Sequence, residues 1–284
     1  MIRGVNRNLF DTAAAYDQAA VLAREVGARM AERLDYMKIS PPRIADIGCA
    51  TGDGIRALQL RYPKAQALAI DVSLPMLHGV RARSSRLARL RNHFFNRGPQ
   101  LINADARALP LADNTLDVVW SNLMLHWLDD PLPALREIHR VMATGGLVMF
   151  ATLGPDSLLE LREAMQKVGA DDTVRRFIDM HDIGDLLVAA GFADPVMDME
   201  IINFTYRHPR QFLADQRHLG VRDAFLGQQS LRTWRRTFSA WPRNQEGHWP
   251  LRFEVVYGHA WKPSPRTMTK RDAAGNAIIT FHPR

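Results

Sequence analysis

The run Ile44-Ala45-Asp46-Ile47-Gly48-Cys49-Ala50-Thr51-Gly52-Asp53-Gly54 restricts the folds open to this chain more than any other segment. An apolar strand stops at Gly48, a loop of small residues carries Gly48, Ala50 and Gly52, and an amphipathic helix begins near Asp53. Strand, bare turn and helix in succession open a parallel α/β unit, in which a ligand lies against backbone at the mouth of the sheet. Asp71 ends the next apolar run, at the distance where a carboxylate accepts hydrogen bonds from both hydroxyls of a ribose. The pattern asks for an adenosine-containing ligand.

The rest of the chain keeps this rhythm. Residues 9–35 have a helical apolar period, interrupted near Gly27, and predict one or two helices, closed by Pro41-Pro42. Strands are expected at 43–48, 67–71, 100–104, 116–121 and 146–152, with helices at 53–61, 74–89 and 132–142 between them. Gly145-Gly146 is expected to stop the last of these helices. Such alternation predicts an α/β fold with a doubly wound, mostly parallel sheet. Further on, helices are expected at 155–168, 182–190, 209–219 and 229–240, with His181 and Asp182 at a helix N-terminus. Strands at 195–206 and 251–261 bring the sheet to seven, and the tail from Pro263 reads as loosely ordered.

Composition removes several function classes. The 284 residues are 46% hydrophobic and 24% charged, ordinary for a globular protein able to bury a full core. No apolar run approaches the roughly 20 residues that span a bilayer. With Arg3, Arg7, Asp11 and Asp17 and no continuous apolar stretch, the N-terminus is expected to be neither a signal nor a transit peptide. One cysteine, Cys49, excludes an intramolecular disulfide and a cysteine zinc cluster. A cytoplasmic enzyme, without membrane attachment, fits all of this.

The net charge of +7 is uneven. No acid lies between Asp71 and Asp105, a stretch that holds Arg81, Arg83, Arg86, Arg89, Arg91 and Arg97. From Thr205 onward, 14 Lys or Arg face 5 Asp or Glu. Such a field concentrates acidic partners or simply faces solvent. The arginines are not interleaved with aromatics, so no stacking platform for nucleic acid is expected.

Two ligands compete for the glycine loop. From Gly48 the dinucleotide fingerprint fails, because Gly52 comes one position early; from Gly52 it matches, but inside the helix and too late to cradle a pyrophosphate. S-adenosylmethionine carries no phosphate, and its ammonium suits an acid such as Asp46, directly or through water. The sequence here resembles the class I S-adenosylmethionine-dependent methyltransferases, with Asp46, Gly48, Ala50 and Gly52 matching Asp-x-Gly-x-Gly-x-Gly apart from Ala50. The family's ribose acid lands on Asp71, its acid beside the adenine on Asp105, and its fourth strand on Asn114–Asn122. The cofactor contacts the resemblance implies are Asp46, Gly48, Cys49, Ala50, Gly52, Asp71, Val72, Asp105, Ala106 and Asn122, with no metal.

The resemblance extends further, to the BioC-type malonyl-acyl-carrier-protein O-methyltransferases. It is carried by Phe10 with Ala13-Ala14-Ala15-Tyr16-Asp17, Leu123-Met124-Leu125-His126-Trp127, Thr152–Leu158, Met180–Gly184 and Tyr257–Lys262. It implies lid helices over 1–40 and a methyltransferase domain over 41–262, divided into a cofactor half (41–153) and a substrate-side half (154–262) with a helical insertion before the last strand. The tail is 263–284. The implied reaction methylates the free carboxylate of a malonyl thioester, on acyl-carrier protein or coenzyme A, so that fatty-acid synthesis can elongate it towards the pimeloyl part of biotin. The enzyme is expected to work as a monomer.

That chemistry asks little of the side chains. A carboxylate with a pKa near 4 is already ionised at neutral pH, so no general base is needed. Positioning and exclusion of water carry the rate, with a cation or hydroxyl donor to hold the carboxylate. Tyr16 and His126 are the candidate catalytic residues, Trp127 a wall, and Cys49 a loop residue without nucleophilic duty. The arginines of 81–97 and 207–236 are candidates to dock the acidic carrier protein. Two other readings stay open: a relative in respiratory-complex assembly that hydroxylates an arginine of a partner protein, and a methyltransferase acting on RNA, a quinone or another small metabolite.

Overall fold

The structure is a computed structural model that describes residues 13–83, 98–170, 174–220 and 225–264. Strands β1 (Arg43–Ile47), β2 (Gln66–Asp71), β3 (Gln100–Asn103), β4 (Leu116–Asn122), β5 (Met142–Leu153), β6 (Ala193–Tyr206) and β7 (Trp249–Trp261) form one sheet, ordered β3-β2-β1-β4-β5-β7-β6. The first five are parallel, and β7 runs antiparallel to both β5 and β6. The doubly wound, mostly parallel seven-stranded sheet expected from the sequence is present.

Helices α1 (Ala13–Ala19) and α2 (Val21–Leu34) precede the sheet. α3 (Asp53–Arg61), α4 (Leu74–Arg83) and α5 (Leu132–Val141) connect the parallel strands, with α6 (Leu159–Gln166) and α7 (Met180–Ala189) between β5 and β6. α8 (Pro209–His218) and α9 (Leu231–Ala240) form the helical insertion before β7.

Alternation along the strands builds two cores. Ile44, Val118 and Met149 face one layer with Met30 of α2 and Leu58 of α3; Ala45, Val119 and Val148 face the other with Leu135 of α5 and Leu187 of α7. Strands buried on both faces read as continuous apolar runs, which is why they were legible. Strand order reverses between β1 and β4, and the loops leaving those strands diverge there, opening a crevice at their C-terminal ends.

Several boundaries differ from expectation for local reasons. Gly27 does not interrupt α2; the break lies at Ala20, between α1 and α2. α2 is continuous because Val26, Met30 and Leu34, one per turn, bury a single stripe. A Cβ on Gly27 would stand 3.2 Å from Nδ2 of Asn122, so this glycine serves close approach. Gly145-Gly146 does not stop α5, which ends at Val141, and β5 begins at Met142. Gly145 (φ 76°) sits in an irregularity of the β4–β5 pairing, its N–H bonded to the carbonyl of Lys262.

The helix expected from residue 155 starts at Leu159, because the preceding turn is organised by the buried Glu254. Its carboxylate accepts from the N–H of Asp156, and the Ser157 hydroxyl donates to its carbonyl. Asp179 caps α7 by accepting from the N–H of His181, with Asp182 in the first turn as expected. The second half of the helix expected at 74–89, the start of the lid at 9–12 and the tail beyond residue 264 lie outside the described residues. Among the described residues no helix is long and apolar enough to cross a membrane.

The two mid-helix glycines give a paired test. A Cβ on Gly184 in α7 meets nothing nearer than Met197 at 3.9 Å. Gly184→Ala is expected to raise stability by about 0.5–1 kcal/mol in urea unfolding, the usual helix-interior gain. Gly27→Ala, pressed against an Asn122 amide already bonded to the lid, is expected to lose that gain.

Candidate active site

A cavity of about 510 Å³ opens at the crevice, floored by the ends of β1, β2 and β4 and roofed by α1 and α2. The loop after β1 is held to β2: the N–H groups of Gly48 and Cys49 both donate to the carbonyl of Ile70, at 2.8 and 3.1 Å. Gly48 (φ 77°) has no room for a side chain, since a Cβ would meet Cγ of Met124 at 2.5 Å. Ala50, which stands where the methyltransferase pattern has glycine, takes the left-handed conformation as well (φ 45°). That conformation is strained for alanine.

Asp71 closes the arrangement. One carboxylate oxygen accepts from Ala50 N–H at 2.9 Å and the other from Ser73 N–H at 2.8 Å. Burial raises its pKa, opposed by these two donors. Each oxygen retains an acceptor site. Val72, Ala106 and Asp105 line the same side of the cavity. The Arg107 guanidinium, 2.6 Å away, holds the Asp105 carboxyl below its ordinary range.

Asn122 ends β4 at the cavity wall, donating from Nδ2 to the carbonyl of Ala23 in α2 at 2.8 Å. Its buried Oδ1 has no partner. Tyr16 enters from α1, half-buried, and burial followed by the charges of Asp71 and Asp53 pushes its pKa up, so it is a phenol at any working pH. His126 lies in a single 3₁₀ turn, Leu125–Trp127, just past β4. Its ring stands 5.8 Å from Phe177 and 5.5 Å from Phe225, with Nδ1 buried and without a hydrogen bond. Burial first, and then the charge of Arg175, lowers its pKa to about 3. Trp127 forms wall, as expected.

Three residues expected at the cofactor do not reach the wall. Asp46 lies beneath the loop and accepts from the N–H of Ile55 in α3. Gly54 must remain small beside it, because a Cβ there would stand 2.6 Å from Asp46 Oδ2. Cys49 is buried, and its thiol pKa is pushed up by that burial. Gly52 (φ 88°) caps α3 in the left-handed conformation. All three build the loop from behind.

Other residues had no sequence signal. The far chamber is made by Thr205 and Tyr206 at the end of β6, by Gln211, Asp215 and Gln216 of α8, and by Phe253 of β7. The lid is latched by Arg83, whose guanidinium meets Asp17 at 3.1 Å, Asp53 at 2.9 Å and the Thr51 hydroxyl at 3.1 Å. Thr51 in turn donates to Asp17 at 2.5 Å. The charged groups on the wall are Asp71, Asp105 and Asp215 against Arg107, which Asp105 already pairs. This donor set suits a cationic ligand bearing a ribose.

Comparison with known proteins agrees with that chemistry. Residues 45–150 match the family model described as a methyltransferase domain. A protein of Laribacter hongkongensis named malonyl-[acyl-carrier protein] O-methyltransferase is 47% identical, covering 98% of this chain and 95% of its own length. One of the same name from Gallionella capsiferriformans is 46% identical, covering 97% and 95%. Among solved structures, a putative methyltransferase of Bacillus halodurans superposes with a TM-score of 0.58 at 16% identity, over 84% of this chain and 99% of that one. The Haemonchus contortus phosphoethanolamine N-methyltransferase 2, solved with S-adenosyl-L-methionine, gives 0.52 at 20% identity, over 89% and 57%. These structures share the fold.

Asp46 offers a test of the loop's electrostatics. Burial raises its pKa from 3.8 to about 8, with Asp71 and Asp53 adding to the rise and the Ile55 N–H opposing it. The folded protein keeps a proton that the unfolded chain has released above pH 3.8, so the contribution to stability is complete below 3.8 and is lost as pH rises to about 8. Without cofactor, Asp46→Asn is expected to gain stability relative to the parent progressively across that window. A stability difference independent of pH, measured by urea unfolding, contradicts a buried and protonated Asp46.

Proposed function

This chain belongs to the malonyl-[acyl-carrier protein] O-methyltransferase family, and we propose that its cavity brings S-adenosylmethionine against the free carboxylate of a malonyl thioester carried by an acyl carrier protein. One observation carries the reading. The carboxylate of Asp71, pre-set by two backbone N–H groups, shares a cavity with a chamber whose lining cation is already paired.

The residues present fit the cofactor. Asp71 has an acceptor site free on each oxygen that would take the two ribose hydroxyls, and Val72, Asp105 and Ala106, on the same side of the cavity, would hold the adenine. Gly48 and Ala50, small residues on the cavity wall, would let the amino-acid end lie against backbone. The unpartnered Oδ1 of Asn122 is an acceptor for the ammonium, the duty expected of Asp46. Asp46, Cys49 and Gly52 act on the cofactor through the loop they shape. When bound, the cofactor supplies an electrophilic methyl group on a sulfonium centre.

The protein's own work is to hold the carboxylate and keep water out. Tyr16, kept as a phenol, donates a hydrogen bond to a carboxylate oxygen. His126 is neutral near pH 7, so it contributes an imidazole contact and neither a charge nor a stored proton. The carboxylate needs no base, since its ordinary pKa is near 4. Apolar wall from Phe204, Phe225 and Phe253 strips water from it, leaving its charge to be satisfied by Tyr16 and the cofactor. The product ester lacks the charge that fatty-acid synthesis rejects, which places the step in the route to the pimeloyl part of biotin. The enzyme works as a monomer in the cytoplasm beside its carrier protein.

Incubation with methyl-labelled S-adenosylmethionine and malonyl-loaded carrier protein is expected to give a base-labile methyl ester. A folded, cofactor-binding protein that forms none refutes the reading. Asp71→Ala is expected to weaken cofactor binding about tenfold or more by calorimetry, the value of one to two charge-assisted hydrogen bonds. Tyr16→Phe is expected to leave cofactor affinity unchanged while lowering kcat/KM about 10–100-fold, one hydrogen bond to a charged group.

A further inference from the structure

We propose that the carrier protein docks on the outer face of α8 and the end of β6, through Arg207, Arg210 and Arg217. This rests on the reading above, that the malonyl group arrives on an acyl carrier protein, and adds where that partner sits.

The arginines around the cavity divide into engaged and free. On elements that line it, Arg29 pairs with Glu25 and Glu200, Arg33 with Asp198, Arg83 with Asp17 and Asp53, and Arg107 with Asp105. Arg24 is bonded to the carbonyl of Asp17. Their charges are spent inside the molecule. Arg207, Arg210 and Arg217 are exposed and make no ion pair among the described residues. Arg81 is free as well, but it lies at the C-terminal end of α4, whose cavity residue, Met76, is near the other end.

The free group flanks the opening of the chamber. Thr205 and Gln211 both line the cavity and are exposed, so the wall meets solvent between them. Arg207 follows the end of β6, two residues past Thr205, and Arg210 adjoins Gln211. Arg210 and Arg217 are seven residues apart, which puts them on one face of α8, away from the buried Phe212. Arg210 stands in the first helical turn, where the helix dipole disfavours a cation, so helix stability does not explain it. Between Thr205 and Arg243 the one described acid is Asp215, which faces the cavity. A mouth bordered by unpaired cations, with the acids turned inward, complements an acidic protein that delivers a thioester on a thin arm.

The insertion also offers a rival face. Arg232, Arg235 and Arg236 of α9 are exposed, yet no residue of α9 lines the cavity, and the helix packs on α6. Charge reversal separates the two. The Arg210→Glu/Arg217→Glu variant is expected to raise the KM for malonyl-carrier protein about tenfold at low salt, the lower end of electrostatic steering effects. Its kcat, and its turnover of the phosphate-free thioester malonyl-pantetheine, are expected to stay within about twofold. Unloaded carrier protein, titrated by fluorescence anisotropy, is expected to bind this variant correspondingly more weakly, and added salt to bring parent and variant together. The Arg232→Glu/Arg236→Glu variant is expected to behave as the parent. An unchanged KM and affinity in the α8 variant, an effect confined to the α9 variant, or an equal loss with malonyl-pantetheine overturns the proposal. If the parent protein methylates neither thioester, the function reading itself fails, and this surface with it.

Discussion

Asp71 couples the loop after β1 to the turn after β2 through two backbone N–H groups, and the rest of the site is arranged around it. The coupling is possible because β1 and β2 are adjacent and parallel, in a register that sets Ile47 beside Ile70. With Gly48 and Cys49 also bonded to Ile70, the glycine loop has few ways to move. A carboxylate fixed in this manner is organised before its ligand arrives, so binding incurs little ordering entropy. Its burial would otherwise favour the protonated form, and the two N–H donors are what offset that tendency.

Charge is sorted by depth. Asp46 and Asp71, buried at the loop, have raised pKa values, and His126, buried in aromatic wall, stays uncharged. The cations nearby are used as fasteners: Arg83 draws α1 onto the glycine loop, while Arg29 and Arg33 draw α2 onto β6. Exposed pairs of this kind contribute modestly to stability, and the lid is seated chiefly by Val26, Met30 and Leu34. What remains is a cavity whose one lining Lys or Arg among the described residues, Arg107, is already paired with Asp105.

The lid and the insertion add walls to the cavity that the sheet does not supply. The solved methyltransferases that superpose on this chain share the sheet at about 20% identity or less. The lid contributes Tyr16, and the insertion contributes Gln211, Asp215 and Gln216. α1 packs on α8, so the two additions to the sheet meet over the cavity.

The sequence alone determined the sheet, the order of its elements and the cofactor edge, because those signals are local. An apolar run, a bare turn and an amphipathic helix are each written within about ten residues, and Gly48 and Gly52 mark left-handed backbone whatever surrounds them. It also named Tyr16, His126, Asp71 and Asn122, all of which the fold brings to one cavity. It misjudged Gly27 and Gly145, since a glycine kept for close approach or for a strand irregularity looks the same in sequence as one that ends a helix. Only the tertiary structure decided that Asp46 supports the loop from behind, that Arg83 latches the lid, and that the far chamber is built from β6, α8 and β7. Those facts depend on contacts between residues tens to hundreds of positions apart. No periodicity records such contacts, and they come into being only when the strand order sets the elements side by side.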